Sequence, residues 1–294
     1  MIFLEEEKHQ TSVIIYKFPF PVTKTIKYEK VVKTAANSAA FNSLSGLTKV
    51  REEMKAAMSG STSSASLSSS GAALSYDKLR QSLDKYIPLM FGFTTAYEDN
   101  STVGFNIPIS FSWSSPLKNS RSTAEFFNIE FEISMTLFLK GLMLINTAEA
   151  YSRSMTEGNF NELAPKAVAI LKEAAGVFDF IATSELPRWA DAPEKRPPEM
   201  FSTVCTGMGV LCLAWAQEFM VLKGMFTGMS NGILMKLMAD AHIKYQEAYD
   251  TFSTKQKESY SNVGSEVINY TKAMAALSKA QTYKLAAMVS KDEK

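Results

Sequence analysis

The chain of 294 residues is 46% hydrophobic, 21% charged and 11% aromatic, which supplies apolar side chains for a sizeable core and excludes disorder throughout. Its 31 lysines and arginines stand against 30 acids, a formal charge of +1, so no global field draws it to nucleic acid or to an anionic membrane. The two cysteines, Cys205 and Cys212, fall about 10 Å apart along a shared helix, too far for a disulfide, and read as buried free thiols of a reducing, cytoplasmic compartment.

The N-terminus puts Glu5, Glu6 and Glu7 where a signal peptide needs basic residues followed by a long apolar run, so secretion is not expected. Val13 to Tyr16, Ile26, Tyr28 and the pair Val31-Val32 predict extended chain and a short hairpin in the first thirty residues. Over 34–57 the apolar positions Phe41, Leu44, Leu47, Val50 or Met54 predict an amphipathic helix. Residues 59–75 are almost all Ser, Ala, Gly and Thr and read as a flexible loop. Ser75 then stands as the N-cap of a helix carrying Leu79, Leu83, Tyr86 and Ile87, with Pro88 near its end or kinking it.

From Phe105 to Trp113 the period switches to two, a strand, with Pro108 placing it at an edge. After Pro116 helices are expected at about 122–151, 161–184, 199–224, 231–254 and 259–290, joined by short connections that favour antiparallel neighbours. Small residues such as Ala174-Ala175-Gly176 and Ala214 permit close helix approach, as in stacked helix hairpins, although no clean self-similarity repeats. The uncharged run Met200 to Gln217 approaches the length of a membrane span. Its Ser202, Thr203, Thr206, glycines and Gln217, with Glu199 and Glu218 tight against the ends, read instead as a buried core helix.

A search for catalytic chemistry returns little. His9 and His242 are the only histidines and lie far apart, so no metal cluster or Ser-His-Asp triad assembles in sequence. No P-loop, Cys-x-x-Cys pair or nucleophile elbow occurs, and Gly207-Met208-Gly209 lacks the third glycine of a dinucleotide fingerprint. No cofactor is implied.

The sixteen methionines are unevenly placed, with seven between Met200 and Met238. Methionine either fills irregular core gaps or lines a groove for a partner's apolar helix. Ile233 and Leu237 sit one turn apart on a helix face, Met220 lies on the preceding helix, and Lys223 and Lys236 flank them. The pattern fits an ordinary helix contact or an apolar patch with a basic rim.

Several segments resemble the Bro domain family, the modules found in Alix and Brox. They are Phe111-Ser112-Trp113-Ser114-Ser115-Pro116-Leu117, Ile133-Ser134-Met135, Leu171 to Phe178, Ser184-Glu185-Leu186-Pro187 and Ala214-Trp215-Ala216-Gln217-Glu218, in the family's order and at similar spacing. The resemblance spans about residues 75–290, is nearest to Brox through Ala174 to Pro187, and is weak over 1–74. It implies a mostly α, curved, boomerang-like domain with tetratricopeptide-like hairpins and a small N-terminal β-sheet. Residues 1–294 then form one domain: strands and a helix to 58, the loop 59–75, and a helical core over 76–294 with a strand at 105–113.

The resemblance also implies a non-enzymatic adaptor that binds the C-terminal amphipathic helix of an ESCRT-III filament subunit, a charged multivesicular body protein. Such a protein is a cytoplasmic monomer recruited to endosomes, with transient membrane association. Counted from Gln217-Glu218 without a gap, the family's apolar contact positions fall on Met220, Ile233 and Leu237. Met220 replaces an aromatic residue common there. Near Asn161 the family often places an acid that joins the site, and here Glu162 follows instead. The family's last helices and any lipid-anchor signal would lie beyond Lys294. The rival readings are a peripheral membrane protein holding anionic lipid on its curved surface, and an enzyme with a pocket around His242 or Cys205.

Overall fold

The computed structural model describes residues 12–33, 38–62, 69–98, 104–105, 109–118, 122–254 and 263–292. Among them the chain forms helices α1 (Tyr28–Val31), α2 (Ser38–Thr62), α3 (Ser69–Glu98), α4 (Ile129–Ser154), α5 (Phe160–Phe180), α6 (Ser202–Phe226), α7 (Asn231–Thr254) and α8 (Ser265–Asp292). Four short strands are interspersed, β1 (Val32–Lys33), β2 (Gly104–Phe105), β3 (Phe111–Ser114) and β4 (Thr123–Phe126). From α2 onward each helix packs against the next in the chain, so the core is a row of neighbouring layers.

The inward stripes follow strict three-and-four spacing. On α2 they are Leu44, Leu47, Arg51, Met54 and Met58, and on α3 Tyr76, Leu79, Leu83, Tyr86, Met90 and Phe93, all buried. Helix α4 is buried on nearly every side, which suits its place between α3 and α5. Among the described residues two helices, α4 and α6, are long and apolar enough to cross a membrane, and 89% and 72% of their apolar stretches are buried against the rest of the protein. The run Met200 to Gln217 thus packs as core.

The buried Arg51 breaks the apolar stripe of α2 for a reason. Its guanidinium donates to Glu132 Oε1 at 2.8 Å, and Glu132 also accepts from Tyr86 Oη at 2.7 Å and Trp113 Nε1 at 2.6 Å. Tyr28 and Tyr86 share a hydrogen bond of 2.8 Å. One carboxylate therefore ties α1, α2, α3, β3 and α4 together, and a buried ion pair is tolerated because its remaining donors and acceptors are satisfied. Burial and the Glu132 charge push both phenols above their ordinary range.

Several elements differ from the sequence expectation. Among the described residues the N-terminal segment forms no hairpin; residues 12–27 run along the core instead, with Thr23 bridging Trp113 and the Ser114 amide donating to the Val22 carbonyl at 2.8 Å. Side chains of α4 hold this strap as a neighbouring strand would: Asn146 bonds both the amide and the carbonyl of Phe18, and Ser152 both those of Val13.

The strand expected over 105–113 is two pieces, Phe105 pairing with Val32 and Phe111–Ser114 pairing antiparallel with β4; 106–108 lie outside the described residues. All four β3 residues are buried, because the strap covers one side and α4 the other. Residues 123–126, expected as helix, are the partner strand, and α4 begins only where Asn128 Oδ1 caps the Phe131 amide at 2.9 Å.

The expected loop 59–75 is shorter, since helix runs through Thr62 and resumes at Ser69, ahead of Ser75. Serine and alanine do not break a helix that Met54 and Met58 on one side and Tyr76 and Leu79 on the other anchor in the core. Residues 63–68 lie outside the described residues. Helix α5 ends in a π-helical turn over Ile181–Glu185, and α8 begins at Ser265, after residues 255–262, which lie outside those described.

Candidate functional site

The α6–α7 hairpin and the start of α5 carry the sequence-derived candidates. Gly228, at φ +69°, supplies the left-handed residue that ends the turn after α6, and the Met229 amide returns to the Gly224 carbonyl at 2.9 Å. Gly224 also lets the helices close: a Cβ there would lie 2.8 Å from Leu234 Cδ2, and at the far end one on Gly207 would lie 2.7 Å from the Phe252 ring. These contacts set the two helices antiparallel, with Val221, Met238 and Ala241 sealed between them.

Leu237 packs against that sealed cluster and is half-buried. Its carbonyl accepts from Gln217 Nε2 at 3.2 Å, one turn before Met220 on α6. Ile233, a turn earlier on α7, is 50% exposed, and Met220 is 43% exposed. Both are among the exposed large apolar side chains of the described residues, unlike the sealed Val221 and Met238 beside them. The structure thus separates the three residues: Met220 and Ile233 face solvent, while Leu237 packs on the seam between α6 and α7.

Beside Met220 lies a cleft of about 350 Å³ between α5 and α6, lined by Phe160, Ala164, Val168 and Phe219 with Met220, and by Asn161, Lys172 and Lys223 as its polar groups. Pro165, also in its wall, has no N–H to return to the Asn161 carbonyl. The rings of Phe160 and Phe226 meet at 4.6 Å between centroids and join the two helices. Lys223 and Lys236 are both exposed. Glu162, exposed as well, is absent from the cleft lining, and Lys166 engages its carboxylate at 2.8 Å, holding it below the usual carboxylate range. Asn161, its neighbour, holds that place.

Behind the face lies a polar chain that the sequence reading did not single out. Glu218 is buried in α6 and accepts from Tyr245 Oη of α7 at 2.7 Å. Trp215 Nε1 donates to Tyr270 Oη of α8 at 2.7 Å, and Tyr270 in turn donates to the Ile14 carbonyl of the strap. Burial raises the Glu218 carboxyl to about 7, opposed by the Tyr245 hydrogen bond. A signal existed: Glu218 is the first charged residue in α6 and lies within an otherwise apolar stripe.

Other candidates resolve into structural roles. His242 Nδ1 lies 3.0 Å from the Ala275 carbonyl in the α7–α8 seam, and His9 lies outside the described residues. Cys205 donates to the Glu199 carbonyl at 3.2 Å, and burial pushes both thiols far above their ordinary range, away from the reactive thiolate. Glu199 accepts from Ser115 Oγ at 2.7 Å and from the Leu117 amide at 2.8 Å, clamping the turn after β3 to the start of α6. No group of three or more His, Cys, Asp or Glu able to hold a metal occurs among the described residues.

A family model described as the BRO1-like domain matches residues 22–294. Among solved structures, the chain is similar to the ALIX BRO1 CHMP4C complex, with TM-score 0.69 and 15% identity over 95% of this chain and 74% of that one. It is similar to ALIX in complex with the SIVmac239 PYKEVTEDL late domain, with TM-score 0.68 and 15% identity over 96% of this chain and 38% of that one. A structure addressing endosomal targeting by the Bro1 domain matches with TM-score 0.66 and 14% identity, over 96% of this chain and 72% of that one. At such identities the likeness is one of fold. No curated protein sequence is significantly similar.

Proposed function

The chain belongs to the BRO1-like domain family, and from that premise we propose that it is a non-enzymatic adaptor capturing an amphipathic C-terminal helix of an ESCRT-III subunit. The likeness in fold to the ALIX BRO1 CHMP4C complex supports the partner class. One observation supports the place: Met220 and Ile233 are exposed on the α6–α7 hairpin whose seam holds Leu237, and Met220 lines an apolar cleft that also carries Lys172 and Lys223. A helix presenting apolar anchors at i, i+3, i+4 and i+7 fits such a surface, and the lysines orient it by its acidic positions. Within the family the run Ala174 to Pro187 supports a Brox-like reading.

Three anchors at about 1.5 to 3 kcal/mol each, less the cost of association and of ordering the peptide, give affinity near the micromolar range. Capture of that strength is reversible, as a transient assembly requires. The chain then acts as a cytoplasmic monomer recruited to endosomes by its partner, in endosomal sorting or membrane remodelling, without nucleic acid or cofactor. Residues 1–294 act as one domain.

The test is fluorescence anisotropy with a labelled ESCRT-III C-terminal helix peptide against wild type, Ile233→Asp and Lys223→Glu. The expected result is micromolar binding by wild type, loss in Ile233→Asp and weakening in Lys223→Glu. Leu237→Asp is the poorer probe, because Leu237 is half-buried and the change would disturb the hairpin itself. Absence of binding by folded wild type would overturn the reading.

A further inference from the structure

Past Met220 the cleft between α5 and α6 continues along α5, away from the α6–α7 hairpin. Its α5 wall steps through Phe160, Ala164, Val168 and Lys172 at every fourth residue, about 18 Å of helix. Lys223 stands in the α6 wall. The two helices run antiparallel: the Phe160 ring meets Phe226, and a Cβ on Gly209 would lie 3.5 Å from the Ala175 carbonyl. Counted from the Phe160–Phe226 pair, Lys223 is level with Leu163 and Met220 with Lys166. Lys172 lies nine residues beyond the first level and six beyond the second. The two lysines therefore mark opposite ends of the cleft, about 14 Å apart along it.

No acid is among the residues that line this cleft. The acids nearest in sequence are held elsewhere: Glu162 by Lys166 at 2.8 Å, Glu173 by Arg80 at 3.3 Å, and Glu218 inside the protein by Tyr245. Lys172 and Lys223 are exposed and form no ion pair among the described residues. A cation at each end of an apolar cleft, with no counter-charge from the chain, is complementary to an anionic partner.

On the other side of Met220, the close approach of Gly224 and Leu234 sets Ile233 level with the last turn of α6. Ile233, Met220 and Lys172 thus fall in order across α7, α6 and α5, each further from the end of α6 than the one before. From Met220 to Lys172 the line advances about 9 Å along the helices and one interhelix distance, about 8 to 10 Å, across them. That is about 13 Å, or about eight to nine residues of a helix lying at about 45° to α6, near the commonest helix crossing angle. Resting on the helix-capture reading, we propose that Lys172 is a specificity-determining residue at the far end of the seat. It selects a partner helix that carries an acidic side chain about eight to nine residues from the apolar anchor covering Met220. Lys223, one turn from Met220, meets the partner beside that anchor and sets no such distance.

Fluorescence anisotropy of the full chain with a labelled C-terminal helix peptide of CHMP4C tests this, using a series in which each acid of the peptide in turn is replaced by lysine. Lys172→Glu should weaken the unaltered peptide about tenfold, and Lys172→Arg should bind it as wild type does. One peptide of the series should bind Lys172→Glu as tightly as the unaltered peptide binds wild type. Its lysine should stand about eight to nine residues from the apolar residue whose truncation couples to Met220→Ala. Circular dichroism should show the helix content of the variants unchanged, since Lys172 is exposed. Absence of binding by wild type would overturn the helix-capture reading and this proposal with it. Wild-type binding that Lys172→Glu leaves unchanged would overturn the proposal alone. So would restoration by a lysine beside the anchor, or weakening by Lys172→Glu that no peptide of the series restores.

Discussion

Around Glu132 five elements meet through charge and hydrogen bonds, and Arg51, Tyr28, Tyr86, Trp113 and Glu132 each have a partner within the network. At the α6–α7 hairpin the helices meet through shape instead, with Gly224 and Gly207 admitting Leu234 and Phe252, and apolar side chains remain in water on the outer face. The first region loses much when a single polar atom is removed and offers nothing to a partner. The second tolerates change on its surface and keeps apolar area in reserve. Rigidity near the N-terminus and unspent hydrophobic surface near α7 are thus complementary uses of the same helical row.

The comparison breaks most sharply at Arg51. Arg51→Ala leaves the Glu132 carboxylate buried without its counter-charge, and urea unfolding should show a loss of about 3 to 5 kcal/mol, with the peptide site intact in whatever remains folded. A loss below about 1 kcal/mol would mean that the network is not what holds the strands to α4.

A smaller effect sharpens the comparison from the other side. Burial raises the Glu218 carboxyl from 4.5 to about 7, so the native state holds a proton there that the unfolded chain has released. This contribution to stability is full below the unfolded value and is lost as pH climbs through about 7. It amounts to about 3 kcal/mol between the two limits. Unfolding midpoints measured from pH 5 to about pH 8 should fall, and Glu218→Gln should flatten that slope. An unchanged slope in the glutamine variant would assign the pH dependence elsewhere.

The smallest effect on stability is expected at Ile233, where Asp replaces a half-exposed side chain and unfolding should shift by no more than about 0.5 kcal/mol. Leu237→Asp, a turn away but packed on Val221 and Met238, should cost about 1 to 3 kcal/mol. Equal costs at the two positions would contradict the division into exposed rim and packed floor.

What the sequence made legible follows from the range of the interactions. The span of α7 and the existence of α3, α4, α6 and α8 were visible because apolar periodicity is local and repeats within each helix. The candidates Met220 and Ile233 were visible for the same reason, as helical spacing beside lysines. The Glu132 network was not: Arg51 and Glu132 are separated by 81 positions, and an arginine on an apolar stripe carries no local sign of its partner. Strand β4 was hidden within an expected helix because Thr123-Ala124-Glu125-Phe126 contains helix-tolerant residues and becomes a strand only by pairing with β3. Whether Leu237 was rim or floor depended on Val221, 16 positions earlier on another helix, and that too is tertiary information.

The central claim is that the face built by α5, α6 and α7 receives the partner helix. Hydrogen exchange of the full chain, with and without saturating ESCRT-III helix peptide, tests it most directly. The account predicts added protection over the start of α5, the last turns of α6 and the first turns of α7, with the amides around Arg51 and Glu132 unchanged. Protection confined to α8 or the strap, or none at saturation, would contradict it.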